Sequence, residues 1–460
     1  MDIAWLILDS VSWDATPFSE DGPRTMPQLE RLAEQYATVF TNCYTAGTAS
    51  PDSHSAFFTG RYPSQAGYHR GYYQYDGAYP TVADVTAGTH ESVLITQNQY
   101  VLGLGESFDT VVDVGASTDH SAPFPEATDP DEENDLQQYE PLRRYIEFVK
   151  RGGKPIRSIV NGISYKYNDI FTEDLYVDVA TADINAEIRE HSNGDDPRLI
   201  VANYMGAHPP FAPTDEAMGN FAKEDRIESL PVGEEVPYRH SLESSEYNVS
   251  DVRPLYHASI WDLDRDVAPL VRELLERETV VFVLADHGTC VNYVDPLSDI
   301  RTHVPLLIFT PDEGHARVPH TVNLRHIAAT TTSLLSKQYP EVRKLPGRNL
   351  LAAIEDEVSI TEYIHYGRKG DPPASNTAIA HATEELVYRV AARTGDARVD
   401  YFDHDDSHEV IRGDETTTEE LRRAIDEHRR EVLNSKRPEG DGSYDFDVDE
   451  DHLRHLGYLE

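Results

Sequence analysis

The chain has 460 residues, 82 acidic and 40 basic, for a formal net charge of −42. A field of that sign repels phosphate backbones and argues against nucleic acid as a partner, and the sequence has no run of about 18 apolar residues that could cross a membrane. The 8 Lys against 32 Arg, set beside the acidic excess, predict a surface adapted to high salt, where screening relieves repulsion between carboxylates.

In chain order, the start lacks a basic segment, and Asp2, Asp9 and Asp14 interrupt its apolar residues. No secretory signal is expected there, and the expected location is cytoplasmic. Ile3 to Leu8 reads as a buried strand closed by Asp9, and Met26 to Tyr36 as a helix. Further strand-like runs are Val93 to Thr96, Leu199 to Asn203, Val280 to Leu284 and Pro305 to Phe309, with a second helical pattern over Asp251 to Glu276. Short apolar strands alternating with helices predict an α/β fold with a mainly parallel sheet covered on both faces. Residues 117–140 and 209–250 read as surface loops. Beyond residue 350 the pattern changes: Thr377–Val390 and Arg398–Phe402 suggest a small antiparallel element, and Thr417–Asn434 a charged helix after it. The expected division is a catalytic unit over 1–349, a small α+β unit over 350–435 and an acidic tail over 436–460. Cys43 and Cys290 are too few for a disulfide framework or a zinc cluster and are expected to be buried.

In a parallel sheet, polar residues just past the strand carboxyl ends line the ligand crevice. Asp9 lies just past the first strand, and Asp286 and His287 just past Val280 to Ala285. Two carboxylates and one imidazole so placed can converge on one divalent cation. A helix implied over Ser53 to Thr59 begins just after Ser50, whose hydroxyl would sit in the positive potential of a helix N-terminus. Read from the local sequence alone, Ser50 or Ser53 is a helix cap.

The segment Phe40-Thr-Asn-Cys-Tyr-Thr-Ala46, Ser50-Pro-Asp-Ser-His54, Thr59-Gly-Arg-Tyr-Pro63 and Gly67 resembles the signature of the sulfatase family, in the alkaline phosphatase superfamily. Pro80 to Ala83, Asn203-Tyr204 with His208 to Phe211, Leu255-Tyr256 with Leu263-Asp264, Asp286-His-Gly288 and Thr302-His-Val-Pro305 resemble later family segments in the family order. Tyr401-Phe-Asp403 with Asp406 and Glu409 resembles the C-terminal hairpin, and Leu456 to Leu459 a frequent ending. The spacing of Asp9 and Asp14, and Ser10 where many sulfatases have a second Asp, look more like the phosphonate monoester hydrolases. Asp286-His287 and Thr302 to Pro305 are also similar to the phosphoethanolamine transferases.

The resemblance implies an alkaline-phosphatase-like three-layer sandwich with a small C-terminal antiparallel subdomain. It implies Ser50 as nucleophile and one divalent ion (Ca, Mn or Zn) on Asp9, Asp286 and His287. Asn98 and His54 would lie against the substrate, and Arg61 would tether the nucleophile loop. His208 and His303 would stand near the leaving group, one of them as general acid. His69 and Arg70 are further candidates for substrate contact. His54 stands where the family's modification motif has Arg, and Asp52 where it has Pro, so Ser50 is expected to stay an unmodified serine. The expected substrate is a small-molecule or glycan ester of sulfate or phosphate. Transfer to an alcohol instead of water, and a non-catalytic binding role on the same fold, remain the alternatives.

Overall fold

The computed structural model describes residues 1–67, 77–115, 178–194, 196–223, 230, 232, 249–289, 291, 295–312, 314–352, 355–366, 386–403 and 405–434. The loop 117–140, His69, Arg70, Cys290 and the tail 436–460 lie outside these residues.

Strand β1 (Ile3–Leu8) is buried at every position, as expected for an apolar run covered on both faces. The next strands are β2 (Ala37–Tyr44), β3 (Glu91–Thr96), β4 (Thr110–Asp113), β5 (Arg198–Tyr204), β6 (Val280–Leu284), β7 (Leu306–Phe309) and β8 (Ala316–Asn323). They form one eight-stranded sheet with β1 in the order β4-β3-β5-β1-β6-β7-β2-β8. The first five in that order run parallel. Strand β7 is antiparallel to both its neighbours, and β8 is parallel to β2.

Trp5 of β1 packs against Phe57 and Phe58 and donates its indole N–H to Thr331 at 3.1 Å. The helices Ser50–Thr59 and Ile327–Leu335 therefore cover its face of the sheet. A second group, Pro27–Tyr36, Asp178–His191 and Val249–Glu276, packs together and against β5 and β6. Within that group, Asp264 accepts hydrogen bonds from the Gln28 and Leu29 amides, two of the donors that the start of a helix leaves without partners.

The second sheet comprises β9 (Ser359–Tyr366), β10 (Leu386–Thr394), β11 (Ala397–Phe402) and β12 (Ser407–Arg412), all antiparallel, in the order β12-β11-β10-β9. The helix Glu415–Asn434 packs on β10 and β11 over a separate core that includes Ile364, Tyr388, Val399, Leu421 and Ile425. Glu362 of β9 joins this unit to the rest. It accepts from the amide and hydroxyl of Ser64, at 2.8 and 2.6 Å, and from the Tyr388 hydroxyl at 2.9 Å, with His428 Nε2 2.7 Å away.

The α/β class, the mainly parallel main sheet and the small C-terminal antiparallel sheet agree with the expectation from sequence. Strands β2, β4, β8, β9 and β12 fall outside the strand runs read from sequence; only the 401–409 hairpin motif touches β12. Cys43 is buried, as expected. Among the described residues no helix is long and apolar enough to cross a membrane.

Candidate active site

The parallel strands β3, β5, β1 and β6 end side by side, and polar residues occupy all four ends. Ile7 is in register with Asn203 on one side and with Leu284 on the other. Asp9 and Asp286 therefore emerge next to each other, with Asn203 and Asn98 beyond Asp9. Ser10 adopts a positive φ of 65°, a conformation that costs energy for a residue with a Cβ. The turn is fixed from both sides: Ser10 N–H donates to Asp286 Oδ1 at 3.2 Å, and the Tyr256 hydroxyl donates to the Ser10 carbonyl at 2.9 Å.

Asp9, Asp286 and His287 are fully buried, and one ligand atom from each lies within 4.8 Å of the others. Asp9 Oδ1 accepts from the Ser10 hydroxyl at 2.9 Å. Its Oδ2 accepts from Asn98 at 3.0 Å, Asn203 at 3.5 Å and the Ser50 hydroxyl at 3.3 Å. Asp286 Oδ1 takes the amides of Ser10 and His287, and its buried Oδ2 has no hydrogen-bond donor among the described residues. Burial, and then the nearby charge of Asp9, push the Asp286 carboxyl well above the usual carboxylate range. Burial and then the Arg301 charge hold His287 well below the ordinary imidazole value, so its ring is neutral. Its Nδ1 lies 3.0 Å from the Gly288 carbonyl, which can only accept. The ring hydrogen is therefore on Nδ1, and the Nε2 lone pair faces the cluster, the tautomer a metal-ligating imidazole needs. Two hard oxygen donors, one neutral nitrogen donor and a buried carboxylate oxygen without a donor fit a divalent cation.

The helix carrying the nucleophile candidate starts at Ser50 itself, not at Ser53. Ala49 is its N-cap and supplies no side-chain bond. The Ser50 hydroxyl points to Asp9 Oδ2 and to His287 Nε2, each at 3.3 Å. Ser53 is engaged with Thr45 at 2.8 Å. Neither serine caps the helix, and the Ser50 oxygen sits where the N-terminal dipole meets the acidic cluster.

His54 packs behind Ser50. Its Nδ1 lies 2.9 Å from the Ser50 carbonyl and 3.7 Å from Asp286 Oδ2, and its ring lies against Phe57 and Phe58. Burial pushes its pKa down to about 4, with Asp9 opposing in part. His208 is buried at the end of β5 with Nδ1 2.6 Å from the Pro209 carbonyl. Burial holds its pKa below the ordinary imidazole value, and the charge of Asp9 opposes this only in part.

Two expected positions differ. His303 does not stand beside Ser50: its ring stacks between Trp13 and Tyr44, and its Nε2 lies 2.9 Å from the Thr41 carbonyl. The backbone there pairs with β2, through Thr45 N–H to Thr302 and Val304 N–H to Cys43, and this pairing aims His303 away. Arg61 does not tether the nucleophile loop; its guanidinium lies over the Tyr79 ring, 3.9 Å from the centroid. Arg301, which is not among the candidates read from sequence, contacts that loop instead. Its Nε donates to the Thr48 carbonyl at 2.7 Å and its Nη1 to the Gly288 carbonyl at 2.6 Å. Asn203 likewise enters the sequence reading only as part of a motif. The one signal that could have found Arg301 is a lone Arg between Asp286-His287 and β7, in a segment expected near the substrate.

The sulfatase family matches the chain over residues 2–336. Among solved structures, the phosphonate monoester hydrolase of Silicibacter pomeroyi superposes with a TM-score of 0.61 at 14% identity, covering 95% of this chain and 96% of that one. That of Agrobacterium radiobacter gives 0.60 at 14%, covering 94% and 95%. A protein solved with its substrate D-glucosamine-2-N,6-O-disulfate gives 0.59 at 13%, covering 96% and 99%. At these identities the likeness concerns the fold. No curated protein matches the chain. The match over residues 2–336, on a fold whose strand ends gather Asp9, Ser50, Asp286 and His287, places the chain in the sulfatase family of ester hydrolases.

Proposed function

We propose that the protein hydrolyses sulfate or phosphate esters of small molecules or glycans through a covalent ester on Ser50. The observation that carries this reading is the meeting of one helix-N-terminal hydroxyl with two carboxylates and a neutral imidazole in a buried cluster. Asp9, Asp286 and His287 would hold one divalent cation (Ca, Mn or Zn), which when bound supplies Lewis-acid stabilisation to an anionic ester. Asn98 and Asn203 orient Asp9, and the Ser50 helix start attracts the ester's non-bridging oxygens.

Ser50 Oγ attacks sulfur or phosphorus, and the bond to the leaving alcohol oxygen breaks on the far side. The Ser50 proton passes to the carboxylate cluster. His208, in the protonated form that its lowered pKa leaves in the minority near neutral pH, gives its Nε2 proton to the departing oxygen. A water then gives a proton to the neutral His208 and attacks the same centre, and the bond to Ser50 Oγ breaks as the serine regains its proton. A serine ester must be released by attack at sulfur or phosphorus itself, a step that suits phosphate. Phosphate-type esters therefore stand beside sulfate in this reading, in line with two phosphonate monoester hydrolases on the same fold.

The test is turnover of 4-nitrophenyl sulfate, phosphate, phosphodiester and phosphonate with Ca²⁺, Mn²⁺ or Zn²⁺ in molar salt. Wild-type turnover should disappear with chelator and fall about 10³-fold or more in Ser50→Ala. Full turnover in Ser50→Ala would place the nucleophile elsewhere.

A further inference from the structure

Arg301 is almost wholly buried, 4% exposed, and it stands on the short helix Asp299–Thr302 between the Asp286-His287 turn and β7. Its planar fork reaches three different parts of the site. Nε donates to the Thr48 carbonyl, two residues before Ser50. Nη1 donates to the Gly288 carbonyl, the same oxygen that fixes the His287 tautomer. Nη2 lies 3.4 Å from His287 Nε2, which itself lies 3.3 Å from Ser50 Oγ. The backbone adds a fourth link, Gly288 N–H to the Arg301 carbonyl at 2.8 Å. That approach needs glycine, because a Cβ at position 288 would stand 1.8 Å from the Ile300 carbonyl oxygen.

The segment carrying Arg301 is itself held from the second sheet. Arg393 of β10 donates to the Leu297 carbonyl and to Asp299, and Arg412 of β12 pairs with Asp299 at 2.6 Å. Polar contacts from the C-terminal sheet therefore hold the short helix that carries Arg301, and Arg301 in turn reaches Thr48 and the Asp286-His287 turn.

We infer that Arg301 is the positioning residue that locks the nucleophile loop to the Asp286-His287 turn, the work expected from sequence of Arg61. The inference rests on the hydrolase reading above but concerns a different residue. A guanidinium suits it because five donors in a rigid plane can serve separate acceptors at once, which an ammonium on a flexible stem cannot. Loss of the fork should let the Ser50 loop and the His287 ring move independently.

The test compares wild type, Arg301→Lys and Arg301→Met, with circular dichroism to verify folding. Mn²⁺ affinity is read by electron paramagnetic resonance, which needs no turnover. Turnover of 4-nitrophenyl phosphate is measured with and without added guanidinium at low concentration. Arg301→Met should lose about 10²-fold in kcat with little change in KM, as expected for misplacement of reacting groups. It should bind Mn²⁺ about tenfold more weakly and regain part of its kcat with guanidinium, which a merely structural arginine would not do. If Arg301→Met does not fold, Arg301→Lys carries the comparison, with losses of the same sign. Wild-type kcat and Mn²⁺ affinity in the folded variants would overturn the inference. A wild-type chain that binds Mn²⁺ but hydrolyses no ester would sink the hydrolase reading, and the Mn²⁺ measurement would still decide on Arg301.

Discussion

At position 50 the hydroxyl faces Asp9 and His287, while Ala49 starts the helix with no side-chain bond at all. A cap would have lowered the energy of the local helix by about 1 kcal/mol. The chain forgoes that and places an oxygen between two titratable groups, Asp9 and His287. His208 is the other residue whose role can be isolated. It is buried within the influence of Asp9, its Nδ1 is engaged by the Pro209 carbonyl, and so only Nε2 can serve a substrate. His208→Ala should slow esters with basic leaving groups about 10²-fold and activated nitrophenyl esters much less, since protonation of the departing oxygen matters most when that oxygen is basic. Equal losses across a leaving-group series would assign His208 to packing. The three candidate ligands are legible in the sequence because each closes an apolar strand. The placements of His303 and Arg301 are not, because two neighbouring polar residues between strands can each point to either side. The pairing of Thr302 and Val304 with β2 decides between them, and that pairing is a long-range contact no local pattern encodes.

The elements with continuous apolar runs, β1, β5, β6 and β7, are readable for the same physical reason: strands buried on both faces need no alternation. Strand β2 is hidden by Thr and Asn at its half-exposed positions, and β8 and β12 by charged or polar residues on exposed edges. One join between the two units, Glu362 with Ser64, is invisible to local reading because it is a contact between residues far apart in the chain. Burial alone would raise the pKa of this carboxyl, but hydrogen bonds from His428 and Ser64 outweigh it and hold the value below the usual 4.5. A folded-state pKa depressed in this way stabilises the fold above the unfolded value. That contribution is lost as pH falls through the folded value. Glu362→Gln should therefore be less stable than wild type near neutrality, with the difference shrinking as pH drops below about 4.5. Urea denaturation across that range checks it; a difference that grows with acid would contradict the assignment.

For the whole molecule the net charge of −42 is the dominant fact. Carboxylates repel one another in dilute buffer, and the Debye length shrinks from about 10 Å at 0.1 M to about 3 Å at 1 M salt. The melting temperature should rise steadily from low to molar KCl, and a flat or falling curve would remove screening as a source of stability. The same field disfavours anionic esters approaching from solution, so the local positive potential of the Ser50 helix start and Arg301 must act at short range, inside the cluster. The central claim is that a plain Ser50 becomes covalently esterified during turnover. Mass spectrometry of the tryptic peptide Leu32–Arg61, from enzyme acid-quenched during turnover in molar salt, tests it most directly. The expected result is serine at position 50, in part carrying one phosphoryl or sulfuryl group. A residue two hydrogens lighter at that position, or an adduct on any other residue, would contradict it.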